Sequence, residues 1–467
     1  MKESGRITRT QFLAVCGLAV AGAAAAQKPR RAQRRPNFLV IVSDDHAFRA
    51  IGYNNPIVKT PHMGRLAGDG IIFDRAYIAT PICAASRASM LTGLFPQQHG
   101  SVGLDGAGFH RNVVEERNYP TLAHMLGETG YDTAFFGKSH LGPPTDYGFA
   151  FGEEQPDRQD NTIFASATEF VQSRKENDTP FLMWVATHQP HIPVEPGEEW
   201  LELYKDADIQ VDPNFMESPP ERSEFNQGLP GEHFYRESRD DPDFTGLRSG
   251  PPRTKEQTIE FMRYYYAVIS RLDSQIGALV DTLKAAGQYE NTVIVYIGDN
   301  GYHLGNHGLG NKITMHEESA RVPMFLHWDG LRKTGVRSES LVSSLDIFPT
   351  LLDLAGLDAP DGLMGKSLTP LFSNPDKSHR DYVASECVGV GGKPGEGHRM
   401  VCTGEWKYIL TDTNEEVLYH LTDDPYEMND VSGADGNAAI LDKLRGYMRE
   451  WMREVGDTHA APSGWRV

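Results

Sequence analysis

The chain has 467 residues, more than one hydrophobic core usually organises, so a large domain and a smaller one are expected. A hydrophobic content of 39%, 46 glycines and a net charge of -19 fit a soluble, loop-rich α/β enzyme. The acidic balance excludes the basic stripe of a nucleic-acid binder, and screening over roughly 8–10 Å leaves the local charge of a pocket to decide what it holds.

At the N-terminus, Arg6 and Arg9 precede an apolar run from Phe12 to Ala26 that ends in an alanine cluster, the pattern of an export signal over residues 1–26. The run is too short for a stable membrane span, so the expected destination is the periplasm or the exterior. Only Arg9 matches the arginine pair of a twin-arginine signal, which leaves both export routes open. Residues 27–35, from Lys28 to Arg35, read as a solvated basic linker. Cys83, Cys387 and Cys402 remain beyond the signal, too few for a disulfide scaffold. Two alternatives stand for Cys387 and Cys402: a disulfide, or two buried thiols.

Four short runs of β-branched and aromatic residues then break into polar clusters. Asn37 to Val42 leads into Ser43-Asp44-Asp45, and Thr133 to Phe136 into Gly137-Lys138-Ser139-His140. Phe181 to Ala186 leads into Thr187-His188-Gln189-Pro190-His191, and Thr292 to Ile297 into Gly298-Asp299-Asn300-Gly301. Continuous apolar runs of this length fit strands buried on both faces of a parallel sheet. Helical patterns lie between them: one capped by Thr60-Pro61 and running to Leu66, one from Pro120-Thr121 to Gly130, and a long amphipathic one from about Glu256 to Ala286. Alternating strands and helices imply a doubly wound, mostly parallel sheet, whose ligands bind beyond the carboxyl ends of the strands. A lone aspartate pair after a strand is usually a cap or turn. Four polar clusters converging on one sheet edge point instead to a site.

The segment Cys83-Ala84-Ala85-Ser86-Arg87, continuing to Leu91-Thr92-Gly93, carries the chemistry. It resembles the signature Cys-x-Pro/Ala-x-Arg, with Ala85 where proline is commoner. Further matching residues are Thr60 to Met63, Gly137 to His140, Gly298 to Gly301, Leu304 to Gly308, Lys312, Glu317 to Pro323, Leu418 to Leu421 and Asp424 to Glu427. In these the chain resembles the formylglycine-dependent sulfatases of the alkaline-phosphatase-like superfamily. Asn54-Asn55, Gln97 to Gly100 and Lys138 to Pro143 resemble its carbohydrate and glycosaminoglycan members most.

The resemblance implies a sulfatase acting on a sulfated saccharide, with Cys83 oxidised to formylglycine by a maturation enzyme. It implies metal ligands at Asp44, Asp45, Asp299 and Asn300, with the modified Cys83 completing the shell. An all-oxygen set suits a hard cation, Ca²⁺ before octahedral Mg²⁺. Arg87, Lys138 and Lys312 match the three carboxylates in charge, so a divalent cation leaves a pocket that attracts sulfate within an acidic protein. His188, helped by Lys312, is the implied donor to the departing oxygen or nitrogen, and His140 the implied acceptor in the second half-reaction. His191, His303 and His307 are candidate substrate contacts, whereas His62, His99 and His124 sit in helical segments where core or capping roles are expected.

The catalytic domain is expected over residues 36–365, with an insertion at residues 206–252 near the substrate mouth, and a smaller α+β subdomain with an antiparallel sheet over residues 366–467. Two other readings stand beside the sulfatase: a phosphodiesterase or phosphonate monoester hydrolase of the same superfamily, and a glycan-binding homologue with a dead site.

Overall fold

A computed structural model describes residues 35–103, 119–222, 225, 254–310, 312–387 and 397–459. The expected export signal, the linker up to Arg34 and most of the 206–252 insertion lie outside the described residues. No helix among the described residues is long and apolar enough to cross a membrane.

The larger sheet is built from β1 (Asn37–Ser43), β2 (Ile71–Tyr77), β3 (Asp132–Gly137), β4 (Phe151–Glu154), β5 (Phe181–Ala186), β6 (Thr292–Gly298), β7 (Met324–His327) and β8 (Val336–Ser343). Its order is β4-β3-β5-β1-β6-β7-β2-β8, parallel except for β7, which runs against β6 and β2. The four expected strands are thus adjacent and parallel at its centre.

Side chains alternate across a strand, so a continuous apolar run feeds two cores at once. Leu39, Ile41, Met183, Val185 and Ile294 face α1 (Pro61–Gly68), α4 (Asn161–Gln172) and α5 (Lys255–Ala285). Val40, Val42, Trp184, Val293 and Val295 face α2 (Cys83–Thr92), α3 (Leu122–Glu128) and α7 (Ile347–Ala355). Each such side chain contributes about 1.5–3 kcal/mol by leaving water, which holds the central strands in register. Helix α1 departs from expectation at its cap. The Thr60 hydroxyl accepts from Gly52 N instead, and the helix start is held by the Asp273 carboxylate of α5, which accepts from His62 N and Met63 N.

The smaller sheet, β12-β11-β10-β9, is antiparallel. Its strands are β9 (Val383–Cys387), β10 (His398–Cys402), β11 (Trp406–Thr411) and β12 (Glu416–His420), packed by Leu444, Met448 and Trp451 of α8 (Ala438–Val455). Register separates the two cysteines: Cys387 faces His398, and Cys402 faces Val383. At about 3.3 Å per residue they stand roughly 13 Å apart along the strands, beyond the reach of a disulfide. Both are buried thiols.

Glu386 of β9 is fully buried; one carboxylate oxygen accepts from Gln97 N and the other has no hydrogen-bond partner. Burial, reinforced by Asp457, pushes its carboxyl up to about 8. A carboxyl raised in the folded state contributes full stability below its ordinary value and loses it as pH rises towards that raised value. Glu386→Gln, which mimics the protonated acid, is therefore expected to raise Tm by roughly 2–8 °C at pH 8 and to change little at pH 4. Thermal unfolding across that range checks this; equal shifts at both ends would show that Glu386 does not titrate there.

Candidate active site

The central strands end level with one another. Val42 pairs with Ala186, Gly137 with Ala186, and Ser43 with Gly298. The next residues extend the ladder: Lys138 N donates to Ala186 O (2.8 Å), Thr187 N to Val42 O (2.9 Å) and Asp299 N to Ser43 O (2.8 Å). Gly137 permits this closeness, since a Cβ there would stand 2.0 Å from Ala186 O. Lys138, Thr187, Asp44 and Asp299 therefore leave the sheet in one row.

Helix α2 lies against that row. Cys83 is its first residue and Arg87 follows one turn later on the same face. The buried Arg87 guanidinium donates from Nε to Asp299 Oδ2 (2.9 Å) and from Nη1 to Lys138 O (2.6 Å), with Nη2 2.8 Å from Asp299 Oδ2 and 3.5 Å from Thr187 O. Lys138 Nζ pairs with Asp44 Oδ2, while Lys312 Nζ pairs with Asp45 Oδ1 and lies 2.7 Å from Cys83 Sγ. Asn300 Nδ2 donates to Asp45 Oδ1 (2.7 Å), and Asp45 N to Asp299 Oδ1 (3.1 Å). Asp45 adopts a left-handed backbone (φ 59°). The Tyr265 hydroxyl of α5 fixes this turn, donating to Asp45 O and accepting from Ala47 N (2.9 Å).

Three oxygens of this group, Asp44 Oδ1, Asp45 Oδ2 and Asn300 Oδ1, are buried without hydrogen-bond partners. One ligand atom each from Asp44, Asp45, Cys83 and His191 fits within a 4.8 Å spread, and His191 Nε2 lies 3.6 Å from Asp45 Oδ2. Orphaned oxygens on residues already crowded by cations fit a hard cation. Burial alone would raise Asp44, but Lys138, His191, Arg87 and Lys312 hold it well below the usual carboxylate range. Asp299 is pushed up to about 7 by burial and then by Asp44. Burial and Asp44 likewise push the Cys83 thiol up, which keeps it protonated and a weak nucleophile.

His140 sits beside this group in a left-handed turn (φ 60°), its backbone N donating to Glu154 Oε1 (3.3 Å). Burial and neighbouring Lys138 lower its imidazole to about 3. His188 and His191 lie on the loop after β5, His191 with Nδ1 2.6 Å from Ile192 O. His303 and His307 occupy a second, buried cluster. Their rings contact His316, His303 Nε2 lies 2.8 Å from Thr314 Oγ1, and His307 Nε2 lies 3.0 Å from Asn214 Nδ2 and 3.8 Å from Glu318 Oε2. His46 is also structural: Nδ1 lies 2.6 Å from the Tyr296 hydroxyl, and Nε2 lies 2.9 Å from Ala50 O.

The smaller sheet reaches this site through charge. Buried Lys407 of β11 lies 2.7 Å from both Glu317 Oε1 and Glu427 Oε1, and Glu317 N donates to Glu427 Oε2 (2.7 Å). These contacts tether the short helix α6 (Glu317–Ala320), which follows the Lys312 loop. Sequence motifs did not single out Tyr265, Glu154 or Lys407, because each acts across a long separation with no spacing to mark it.

Comparison with known proteins gives the same assignment along the chain. The Sulfatase family model matches residues 36–357, and the model for N-sulphoglucosamine sulphohydrolase, C-terminal, matches residues 305–454. An N-acetylglucosamine-6-O-sulfatase of Bacteroides thetaiotaomicron is 27% identical over 96% of this chain and 91% of its own length. An ulvan-active sulfatase of Formosa agariphila is 25% identical over 91% and 82%. A structure of a protein in complex with its substrate D-glucosamine-2-N,6-O-disulfate shares the fold, with TM-score 0.78, 24% identity and coverage of 91% of this chain and 99% of the other. A phosphonate monoester hydrolase of Agrobacterium radiobacter also shares it, with TM-score 0.71, 22% identity and coverage of 91% and 96%. The chain thus belongs to the sulfatase family, whose members hydrolyse sulfate esters.

Proposed function

We propose that this sulfatase removes sulfate, as an O-ester or an N-sulfate, from a sulfated saccharide, using formylglycine made from Cys83 and Ca²⁺ held by Asp44, Asp45, Asp299 and Asn300. One observation carries the reading: Cys83 opens a buried helix one turn before Arg87, with its sulfur 2.7 Å from Lys312 Nζ and beside the Asp44–Asp45 carboxylates. Matches to saccharide sulfatases support the substrate class.

When present, the cation supplies Lewis acidity and the formylglycine hydrate two hydroxyls, one to attack sulfur and one to expel sulfate. Arg87 and Lys138 orient the hydrate and balance charge on the sulfuryl oxygens, without reorganising because their carboxylate partners already fix them. The proton for the departing oxygen or nitrogen comes from the loop after β5, assisted by Lys312; the histidine of that loop that joins Asp45 and Cys83 is His191, whereas the expected donor, His188, turns to Asp160 instead. The His140 imidazole, held neutral by burial and Lys138, takes a proton in the second half-reaction. An exported enzyme, a maturation enzyme acting on Cys83, and a division into residues 36–365 and 366–467 complete the proposal.

Sulfate release from defined sulfated mono- and disaccharides, measured beside a phosphodiester and a phosphonate monoester, is expected to favour sulfate; a large preference for either phosphorus substrate would overturn the assignment. Cys83→Ala should lower turnover by roughly 10³-fold or more with Tm unchanged. Mass spectrometry of the tryptic peptide ending at Arg87 should show an aldehyde in active enzyme, and full activity with an intact thiol would remove Cys83 from its role. Chelation should lower Tm by about 3 °C, from roughly 2.7 kcal/mol of lost binding at a hundredfold excess over Kd, and Ca²⁺ should restore it. An Asn300→Ala variant that kept the full Ca²⁺-dependent shift would exclude Asn300 as a ligand.

A further inference from the structure

Near the Lys312 loop lies a second group of buried ligand-type side chains that the proposed chemistry does not use. One ligand atom each from His307, Glu318 and Glu427 fits within a 4.8 Å spread, and all three residues are buried. They come from three parts of the chain: the turn after Asp299, the short helix α6, and the segment beyond β12. His307 and Glu427 both hold a left-handed backbone (φ 53° and 54°), as Asp45 does in the catalytic group. That conformation is uncommon outside glycine and gathers at functional sites.

Glu318 gives the group an unmatched oxygen. Its Oε1 accepts from Asn214 Nδ2 (3.0 Å) and Arg49 Nη1 (3.2 Å), but its Oε2 is buried with no hydrogen-bond partner among the described residues. That oxygen stands 3.8 Å from His307 Nε2. Metal–ligand bonds of about 2.0–2.2 Å allow two donors on one ion to stand up to roughly 4 Å apart, so this pair already spans one ion. The His307 lone pair lies on Nε2. Asn306 Nδ2 donates to Asn214 Oδ1 (2.5 Å), which turns Asn214 Nδ2 towards His307 Nε2 (3.0 Å), and a ring nitrogen facing a donor carries no hydrogen. Asn214 Nδ2 has two hydrogens for three acceptors, the others being Glu318 Oε1 and Tyr426 O (3.2 Å), so it releases His307 without losing a bond.

Lys407 leaves room for an ion. Its ammonium lies 2.7 Å from both Glu317 Oε1 and Glu427 Oε1, and a carboxylate oxygen keeps a second lone pair. Around the group, Asp212, Glu317, Glu318 and Glu427 face Arg49, Arg321 and Lys407, four negative charges against three positive. Buried charge is tolerated when it is matched, so the group is short of positive charge.

We propose that His307, Glu318 and Glu427 form a second metal site, which takes a zinc-class divalent ion and clamps the Lys312 loop to the segment beyond β12. One imidazole with two carboxylates is a softer set than the oxygens around Asp44, so donor type sorts Zn²⁺ to one site and Ca²⁺ to the other.

The test uses full-length, formylglycine-containing enzyme in excess Ca²⁺, with Co²⁺ as a visible-absorbing probe for the zinc position. About one Co²⁺ per chain is expected to bind and to be displaced by Zn²⁺, and Zn²⁺ should raise Tm by roughly 3 °C at a hundredfold excess over Kd. Glu318→Gln and His307→Ala should each weaken Co²⁺ binding by at least about 10–10²-fold, whereas Asp45→Asn should leave it unchanged. A wild-type enzyme that takes up no Co²⁺ in excess Ca²⁺ overturns the inference without any variant. Equal binding in Glu318→Gln and wild type overturns it as well, and loss in Asp45→Asn alone assigns the ion to the catalytic group instead. None of these results bears on sulfate release, which tests the proposed function separately.

Discussion

A single buried guanidinium holds the candidate site together. Arg87 reaches from helix α2 to the ends of β6, β3 and β5 through the Asp299 carboxylate and the carbonyls of Lys138 and Thr187. A charge removed from water costs several kcal/mol unless it is paired and hydrogen-bonded, so α2 is stable only where those acceptors stand. That docking position also sets Cys83, one turn earlier, beside Lys312 and Asp45. The sheet register supplies the other half of the constraint, because level strand ends put the acceptors in one row.

The central architecture could be read from the sequence because the apolar runs are long enough to feed two cores and end in polar clusters. The amphipathic stretch at 256–286 is likewise a helix, Lys255–Ala285. Features set by tertiary contact escaped such reading. The cap of α1 comes from Asp273, far along the chain, and no local pattern marks it. His303 and His307 follow Asp299 closely, yet the backbone turns them into a separate histidine cluster; nearness in sequence does not give direction. The cysteine pairing depended on a strand register that spacing does not show. Tyr265, which fixes the Asp45 turn, is one of several tyrosines on its helix, and its sequence context does not distinguish it.

The same scaffold serves a phosphonate monoester hydrolase at 22% identity, so fold narrows the chemistry without selecting it. Selection rests on a few side chains: a cysteine at a helix start, three cations paired with three carboxylates, and orphaned oxygens turned inward. The three cation–carboxylate pairs cancel one another, so the site is locally near neutral within an acidic protein, and a divalent cation held there would leave it positive.

The tether from Lys407 and Glu427 to Glu317 ties the Lys312 loop to strands that leave the ribosome among the last. Glu317 is also held by Arg321 Nη1 (3.1 Å) and the Tyr77 hydroxyl (2.9 Å), and Lys407 adds the link to the smaller sheet. The Lys312 side of Cys83 therefore depends on the C-terminal hairpins, which lie far from it in the chain.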